Sequence, residues 1–418
     1  MLKIFRSDID QFELNKLLRS IKDTILGKIN STVSVKDFLK FFFNLEESQI
    51  PSFISDILGE ISDGEEIFQV NILDNRVFEQ YHKLFEIINE LSRLKDKRSK
   101  VNIERKEYTK GVNCLLSLNA LIDELERTSS NLRLEKINDI TREEISLPRI
   151  KKERKKEIFR KIYNIYTNLS ELHHVLMQLN DIFSYRNNIS PIRNLLASCI
   201  NINSCPYCNL KLLCLTKVDL GDNESQISAY CELDHILPQS KYPLFASSIW
   251  NLVPVCHDCN RQKSDELISF NSWTLDLDNE NFKTNILYDN TKAILEYVNG
   301  RGYEDFEILG IEITSNNPAD ERVIEILDLN GRYLAHIESD DSNQFLKLMI
   351  DGLRKSTRMS ISDLLDITNE KDPSSLFSYY FKIMFCDYKE KHYNKVVYGK
   401  LISEFLRDNK LDESLFEL

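Results

Sequence analysis

Two cysteine pairs constrain this 418-residue chain more than any other feature: Cys205-Pro206-Tyr207-Cys208 and Cys256-His257-Asp258-Cys259. A CxxC turn lets two thiolates converge on one ion, and two such turns complete a tetrahedral Zn2+ shell. Four soft ligands close that shell and leave no position for water, so the spacing predicts a structural zinc. Cys114, Cys199, Cys214, Cys231 and Cys386 have no partner at such spacing and read as core or near-surface thiols, with Cys214 the alternative ligand. The chain has nine cysteines, an odd number, and in a reducing compartment tight pairs point to metal before disulfide.

Around this knuckle the sequence reads as mainly α. Apolar residues make up 42% and charged residues 29%, which excludes wholesale disorder. Only 11 Gly and 9 Pro are present, which removes collagen-like and turn-rich all-β readings. Apolar positions recur at helical spacing, as in Leu84, Ile87, Ile88 and Leu91, and again in Ile158, Ile162, Ile165 and Leu169. Three regions follow: a helical domain over 1–195 for recognition or a partner, a small zinc-stapled domain over 196–270, and a mixed α/β, mostly helical region over 271–418. In the middle region, 230–236 and 252–255 read as short strands and 258–264 as the start of a helix. The polar run Gly221-Asp222-Asn223-Glu224-Ser225 reads as a surface loop. Further on, 286–288 and 306–313 read as strands, and a helix is expected from about Asp320. The aromatic clusters Phe41-Phe42-Phe43 and Tyr379-Tyr380-Phe381 read as core or partner surface, and the neighbours His173 and His174 do not share a helix face.

No segment approaches the roughly 20 apolar residues needed to span a bilayer. The start, Met1-Leu2-Lys3-Ile4-Phe5-Arg6-Ser7-Asp8, carries early charge and lacks the apolar stretch of a secretory signal, so a cytoplasmic protein without membrane contact is expected. The net charge is −12, so bulk charge does not spread the chain over a phosphate backbone, and a nucleic-acid site has to be local. Lys151, Lys152, Arg154, Lys155 and Lys156, flanked by Arg149, Arg160 and Lys161, form one local basic run. A second lies between Arg93 and Lys110. Either run suits phosphate contact; the plainer reading is a solvated helix face.

The residues between the cysteine pairs decide the chemistry. Glu232-Leu233-Asp234-His235-Ile236-Leu237-Pro238-Gln239-Ser240 leads to Asn251-Leu252-Val253-Pro254-Val255-Cys256, and Cys259-Asn260-Arg261-Gln262-Lys263-Ser264-Asp265 closes the segment. Neighbours on a strand leave by opposite faces, so Asp234 can hold a metal while His235 addresses a water. Asp is a hard ligand suited to Mg2+, and a neutral His suits a general base near pH 7. Asn260 falls in the first turn of the following helix, whose start the zinc fixes through Cys259.

Taken together, residues 205–265 resemble the HNH, or ββα-metal, endonuclease family in its zinc-bound form, as found in bacterial restriction and anti-phage nucleases. The Asp-His-Ile-x-Pro-x-Ser opening and the Asn-Arg-x-Lys-Ser-Asp close are similar to the HNH domain of RNA-guided nucleases. The resemblance implies a metal-dependent endonuclease hydrolysing DNA phosphodiester bonds, with RNA as the alternative substrate and a non-catalytic zinc-stabilised nucleic-acid-binding scaffold as the alternative reading. It implies that His235 activates water, that Asp234 and Asn260 bind Mg2+ or Mn2+, and that Asn251 pins the loop through backbone hydrogen bonds. Many family members end with His where this chain has Asn260; His257 is the alternative third ligand. Lys263 is expected to contact phosphate or to face solvent. The same resemblance implies a role in antiviral defence, with an ATPase or another defence-system protein as partner.

Overall fold

The computed structural model describes residues 4, 9–59, 76–100, 103–127, 136–137, 140–141, 150–200, 202–221, 224–269, 271–273, 282–288 and 308–337. The chain forms two units. One comprises Gln11–Arg193 together with Leu237–Asn251, the other Met1–Asp10, Asn194–Ile236 and Leu252–Leu418. The expected continuous domain over 196–270 is interrupted, because the segment Leu237–Asn251 is packed into the helical unit.

The helical unit is built from α1 (Gln11–Ser31), α2 (Val33–Phe42), α3 (Ile50–Leu58), α4 (Arg76–Leu94), α5 (Arg105–Arg127), α6 (Lys152–Asn168), α7 (Ser170–Ile182) and the single turn α8 (Tyr185–Asn188). Each long helix buries one stripe at spacings of three and four. In α1 the stripe is Leu14, Leu18, Ile21, Ile25 and Ile29, and in α4 the expected Leu84, Ile87, Ile88 and Leu91 are all buried. Ile158 and Ile162 are buried on α6, whereas Ile165 and Leu169 are only half-buried. Helix α3 stops at Gly59, whose φ of 78° is left-handed; a Cβ there would also meet Trp250 Cδ1 at 2.9 Å, so a side chain is excluded twice.

The Leu237–Asn251 segment is held by this helical core. Leu244, Phe245 and Ala246 have no exposed surface. The Phe245 ring lies 5.3 Å from Phe78, 5.4 Å from His82 and 5.1 Å from Trp250. Ser247 Oγ donates to the Phe183 carbonyl at 2.7 Å, and Asn188 Nδ2 donates to Ser247 Oγ at 3.1 Å. Burying Leu244 and Phe245 stabilises the arrangement by roughly 1.5–3 kcal/mol each. Phe42 is buried and Phe43 packs at tilted angles against Phe53, Phe78 and Tyr81, while Phe41 is about half exposed.

The second unit takes in α9 (Arg193–Cys199) from Asn194 onward and, among the described residues, three antiparallel strand pairs. Strands β1 (Cys214–Gly221) and β2 (Glu224–Tyr230) form a hairpin, so Gly221, Glu224 and Ser225, expected in a surface loop, are ladder residues at its turn. Strand β3 (Glu232–His235) pairs with β4 (Leu252–Val255) in the register Glu232↔Val255, Leu233↔Pro254, Asp234↔Val253 and His235↔Leu252. Helix α10 (His257–Lys263) follows β4 directly, giving the expected strand–strand–helix order. Strands β5 (Phe282–Tyr288) and β6 (Ile308–Ser315) precede α11 (Pro318–Ile326) and α12 (Leu329–Ile337). Asn317 caps α11 by accepting from the Ala319 N–H at 3.0 Å, with Pro318 at the first helical position. Asn330 on α12 uses its side-chain amide as a strand would, accepting from the Ile313 N–H at 2.7 Å and donating to the Ile313 carbonyl at 3.1 Å. Arg149, Tyr379-Tyr380-Phe381, Cys386 and the helices expected beyond 337 lie outside the described residues. No helix among the described residues is long and apolar enough to cross a membrane.

Candidate active site

The sulfurs of Cys205, Cys208, Cys256 and Cys259 lie within 4.8 Å of one another, and all four residues are buried. A tetrahedral shell with Zn–S of 2.3 Å has S···S edges of about 3.8 Å, and Cys208 Sγ and Cys256 Sγ are 3.9 Å apart. The donor set therefore fits zinc. The first turn closes where the Asn209 N–H donates to the Cys205 carbonyl at 2.7 Å, and Asn209, with a left-handed φ of 52°, leads the chain out of it. Backbone N–H groups point at sulfur, from Leu210 to Cys208 and from Cys256 to Cys205, both at 3.4 Å. Cys214 lies on β1, and its side chain is outside the described residues.

Two residues far along the chain complete the surroundings of the sulfurs. Arg332 on α12 donates to Cys259 Sγ at 3.0 Å and to Cys256 Sγ at 3.7 Å. Tyr333 donates its hydroxyl to the Cys208 carbonyl at 2.6 Å.

Asp234 and His235 end β3. Asp234 is 3% exposed. It accepts from the Tyr207 hydroxyl at 2.6 Å, and Lys263 Nζ lies 3.3 Å from each of its oxygens. Burial raises its carboxyl above the ordinary value, against the pull of Lys263 and of the Tyr207 hydrogen bond. Burial also pushes the Tyr207 phenol up, with the Asp234 charge adding to it. His235 is half-exposed at the strand end, and its carbonyl accepts from Lys263 Nζ at 2.6 Å.

Lys263 therefore differs from both expectations for it. Its side chain has no exposed surface, and its ammonium is spent inside the fold on Asp234 and the His235 carbonyl. A phosphate contact from this residue has no open path in this conformation. The reason is electrostatic: a buried carboxylate needs a counter-charge, and the last turn of α10 is where one can be supplied.

Asn260 lies in the middle of α10 and donates its side-chain amide to Glu232. Glu232 also meets His257 Nδ1 at 2.6 Å and, through that hydrogen bond, raises the imidazole above its ordinary value. His257, the alternative third ligand, points to solvent with 71% of its side chain exposed. Glu232 and Asp234 alternate on β3 and share a face, yet Asp234 and Asn260 have no hydrogen-bond partner in common. Apart from the four cysteines, no group of three or more His, Cys, Asp or Glu converges on a metal-sized position among the described residues.

Within the helical unit, Asn251 is fully buried. Its Oδ1 accepts from the Leu237 N–H at 2.7 Å, and its Nδ2 donates to the carbonyls of Leu237 at 3.1 Å and Phe245 at 2.9 Å. On α6, Lys152 and Lys156 are exposed, as is Lys151 just before the helix. Lys155 donates to the Ile103 carbonyl at 2.6 Å, and Arg154 pairs with Glu157 at 2.8 Å. His173 is tied to the Tyr166 hydroxyl at 2.9 Å and to Asn89 at 3.3 Å.

Sequence reasoning missed Tyr207, Glu232, Arg332 and Tyr333. Tyr207 and Glu232 carried a local signal: one lies inside a CxxC turn, the other two residues before Asp234 on the same strand face. Arg332 and Tyr333 were visible only as part of the stretch after Ile326, which resembles one that follows the HNH core in some bacterial defence nucleases and gave neither residue a role; only the fold brings α12 to the knuckle.

No curated protein and no solved structure matches the chain. Residues 216–268 match the HNH endonuclease family. That segment contains β3, β4, α10 and the second cysteine pair, and the first pair supplies the rest of the four-thiol cluster. The chain thus carries an HNH endonuclease domain, consistent with the zinc-bound form.

Proposed function

We propose that this protein is a divalent-metal-dependent endonuclease that hydrolyses DNA phosphodiester bonds, with His235 as general base. The observation that carries the reading is the pairing of β3 with β4, followed at once by α10. It sets Asp234 and His235 at a strand end and Asn260 on the helix that the cysteine knuckle starts. His235, half-exposed, takes the proton from the attacking water. Asp234 and Asn260 supply one carboxylate and one amide oxygen, a small hard donor set suited to an ion that keeps most of its waters. Glu232 accepts from Asn260 Nδ2, which leaves Oδ1 as the atom able to ligate. Mg2+ or Mn2+, when bound, supplies charge stabilisation at the phosphorus and at the leaving oxygen. Lys263 already balances Asp234, so cation and phosphate are expected to bind together, the phosphate adding the negative charge that one carboxylate lacks.

Lys151, Lys152 and Lys156 are available for backbone contact, whereas Arg154 and Lys155 are held by protein partners. A cytoplasmic setting agrees with four free thiols committed to a metal. The defence role and a partner such as an ATPase rest on the family resemblance alone.

The test is digestion of plasmid, single-stranded DNA and RNA by the purified full chain with Mg2+ or Mn2+, beside His235→Ala. Cutting of DNA that falls by at least about a hundredfold in the variant is the expected result. Equal cutting by both proteins overturns the assignment. Cutting of RNA alone moves the substrate and keeps the chemistry.

A further inference from the structure

We infer that Arg332 is the outer-sphere cation of the four-cysteine zinc site, so that α12 completes a metal centre whose ligands all lie upstream of it. The argument starts from charge. Four thiolates around one Zn2+ leave two net negative charges, and the four cysteines are at most 7% exposed. An uncompensated buried charge of that size is costly. Among the described residues, Arg332 is the cationic side chain in contact with the sulfurs, and its side chain is 14% exposed.

The geometry adds to the charge. One guanidinium nitrogen lies 3.0 Å from Cys259 Sγ and another 3.7 Å from Cys256 Sγ, so the planar fork spans both thiolates of one CxxC turn. The second of these nitrogens is also 3.8 Å from the Asp258 carboxylate, inside the same turn. The neighbouring Tyr333, 4% exposed, reaches the first turn through the Cys208 carbonyl at 2.6 Å. Adjacent residues of α12 therefore address both halves of the knuckle, and Asn330 holds that helix to β6 through the two hydrogen bonds to Ile313. Donors to ligating atoms raise metal affinity typically by ten- to a hundredfold. Arg332 lies 73 residues after Cys259, beyond the stretch that matches the family, so zinc retention in this chain depends on a helix outside the HNH match.

The test uses the full-length protein and reads zinc, not cleavage. Zinc content is measured per chain, and zinc release is timed against a chromogenic chelator for wild type, Arg332→Gln, Arg332→Lys and Tyr333→Phe. Far-UV circular dichroism follows the fold. Wild type is expected to hold one zinc. Arg332→Gln is expected to release it at least about tenfold faster with unchanged helicity. Arg332→Lys keeps charge and stem but loses the fork, and is expected to fall between the two. Tyr333→Phe is expected to release faster than wild type but slower than Arg332→Gln. Release from Arg332→Gln within twofold of wild type overturns the assignment; where that variant is too unstable to purify, release within twofold of wild type from both Arg332→Lys and Tyr333→Phe overturns the claim that α12 completes the centre. Wild type purified without zinc overturns it too, without bearing on the nuclease test above.

Discussion

Lys263 and Asp234 form an ion pair from which water is excluded: the lysine side chain has no exposed surface, the aspartate 3%, and Nζ stands 3.3 Å from both carboxylate oxygens. Breaking such a pair from one side leaves a bare buried charge, whereas neutralising both partners does not. Lys263→Met is therefore expected to destabilise the fold by about 3–5 kcal/mol. The double variant Asp234→Asn with Lys263→Met should recover most of that loss. Urea denaturation of the two single variants and the double variant reads the coupling directly. Additive losses would show that the pair is not coupled.

Asn251 tests the loop. Its buried amide makes three hydrogen bonds to the Leu237 and Phe245 backbone. Asn251→Ala strands those groups, at a cost of about 2–3 kcal/mol. Amide hydrogen exchange should accelerate at Leu237 and across 237–251, with α1 and α5 unchanged. Native protection at the Leu237 amide in the variant would contradict the pinning role.

His82 makes the helical unit acid-sensitive. Its imidazole is packed among Tyr81, Tyr242 and Phe245, and neither ring nitrogen has a hydrogen-bond partner among the described residues. Burial pulls its pKa from 6.5 to about 3. The unfolded chain then binds the proton first as pH falls, so stability is full above about 6.5 and drains away between there and about 3. The loss amounts to a few kcal/mol at most. Denaturant midpoints for wild type and His82→Phe at pH 7.5 and pH 5 measure it, and the variant should show the shallower dependence. Parallel slopes would assign the acid sensitivity elsewhere.

Chelation separates the two proposed metals. A brief EDTA treatment should stop cleavage, and added Mg2+ should restore it, while zinc stays with the protein. The hard site offers few protein ligands, whereas the four thiolates hold their ion tightly. Parallel loss of zinc and activity, with recovery only when zinc is returned, would mean that one metal serves both roles.

What the sequence revealed, it revealed where the signal is local. Leucine and isoleucine stripes announced α4 and α6, and paired cysteines announced the knuckle. The strand ending in Asp234-His235 and the helix through Asn260 were legible within a residue or two. The start of strand β2 was not, because its polar residues fitted a loop as well as a hairpin. Lys263 was misread because the flanking Arg261, Gln262, Asp265 and Glu266 all suggest a wet surface; only the burial of Asp234 shows why one lysine turns inward. The role of Arg332 depends on a helix docking at long range, which no spacing rule encodes.

The segment Leu237–Asn251, lodged among the aromatic rings of the helical unit, sets how this protein can be taken apart. Cutting the gene at 196 and 270 would strip Leu244 and Phe245 of their cover and yield a sticky fragment in place of a minimal enzyme. Shuffling the helical half between relatives would meet the same obstacle, since it would have to travel with a stretch of the nuclease motif itself.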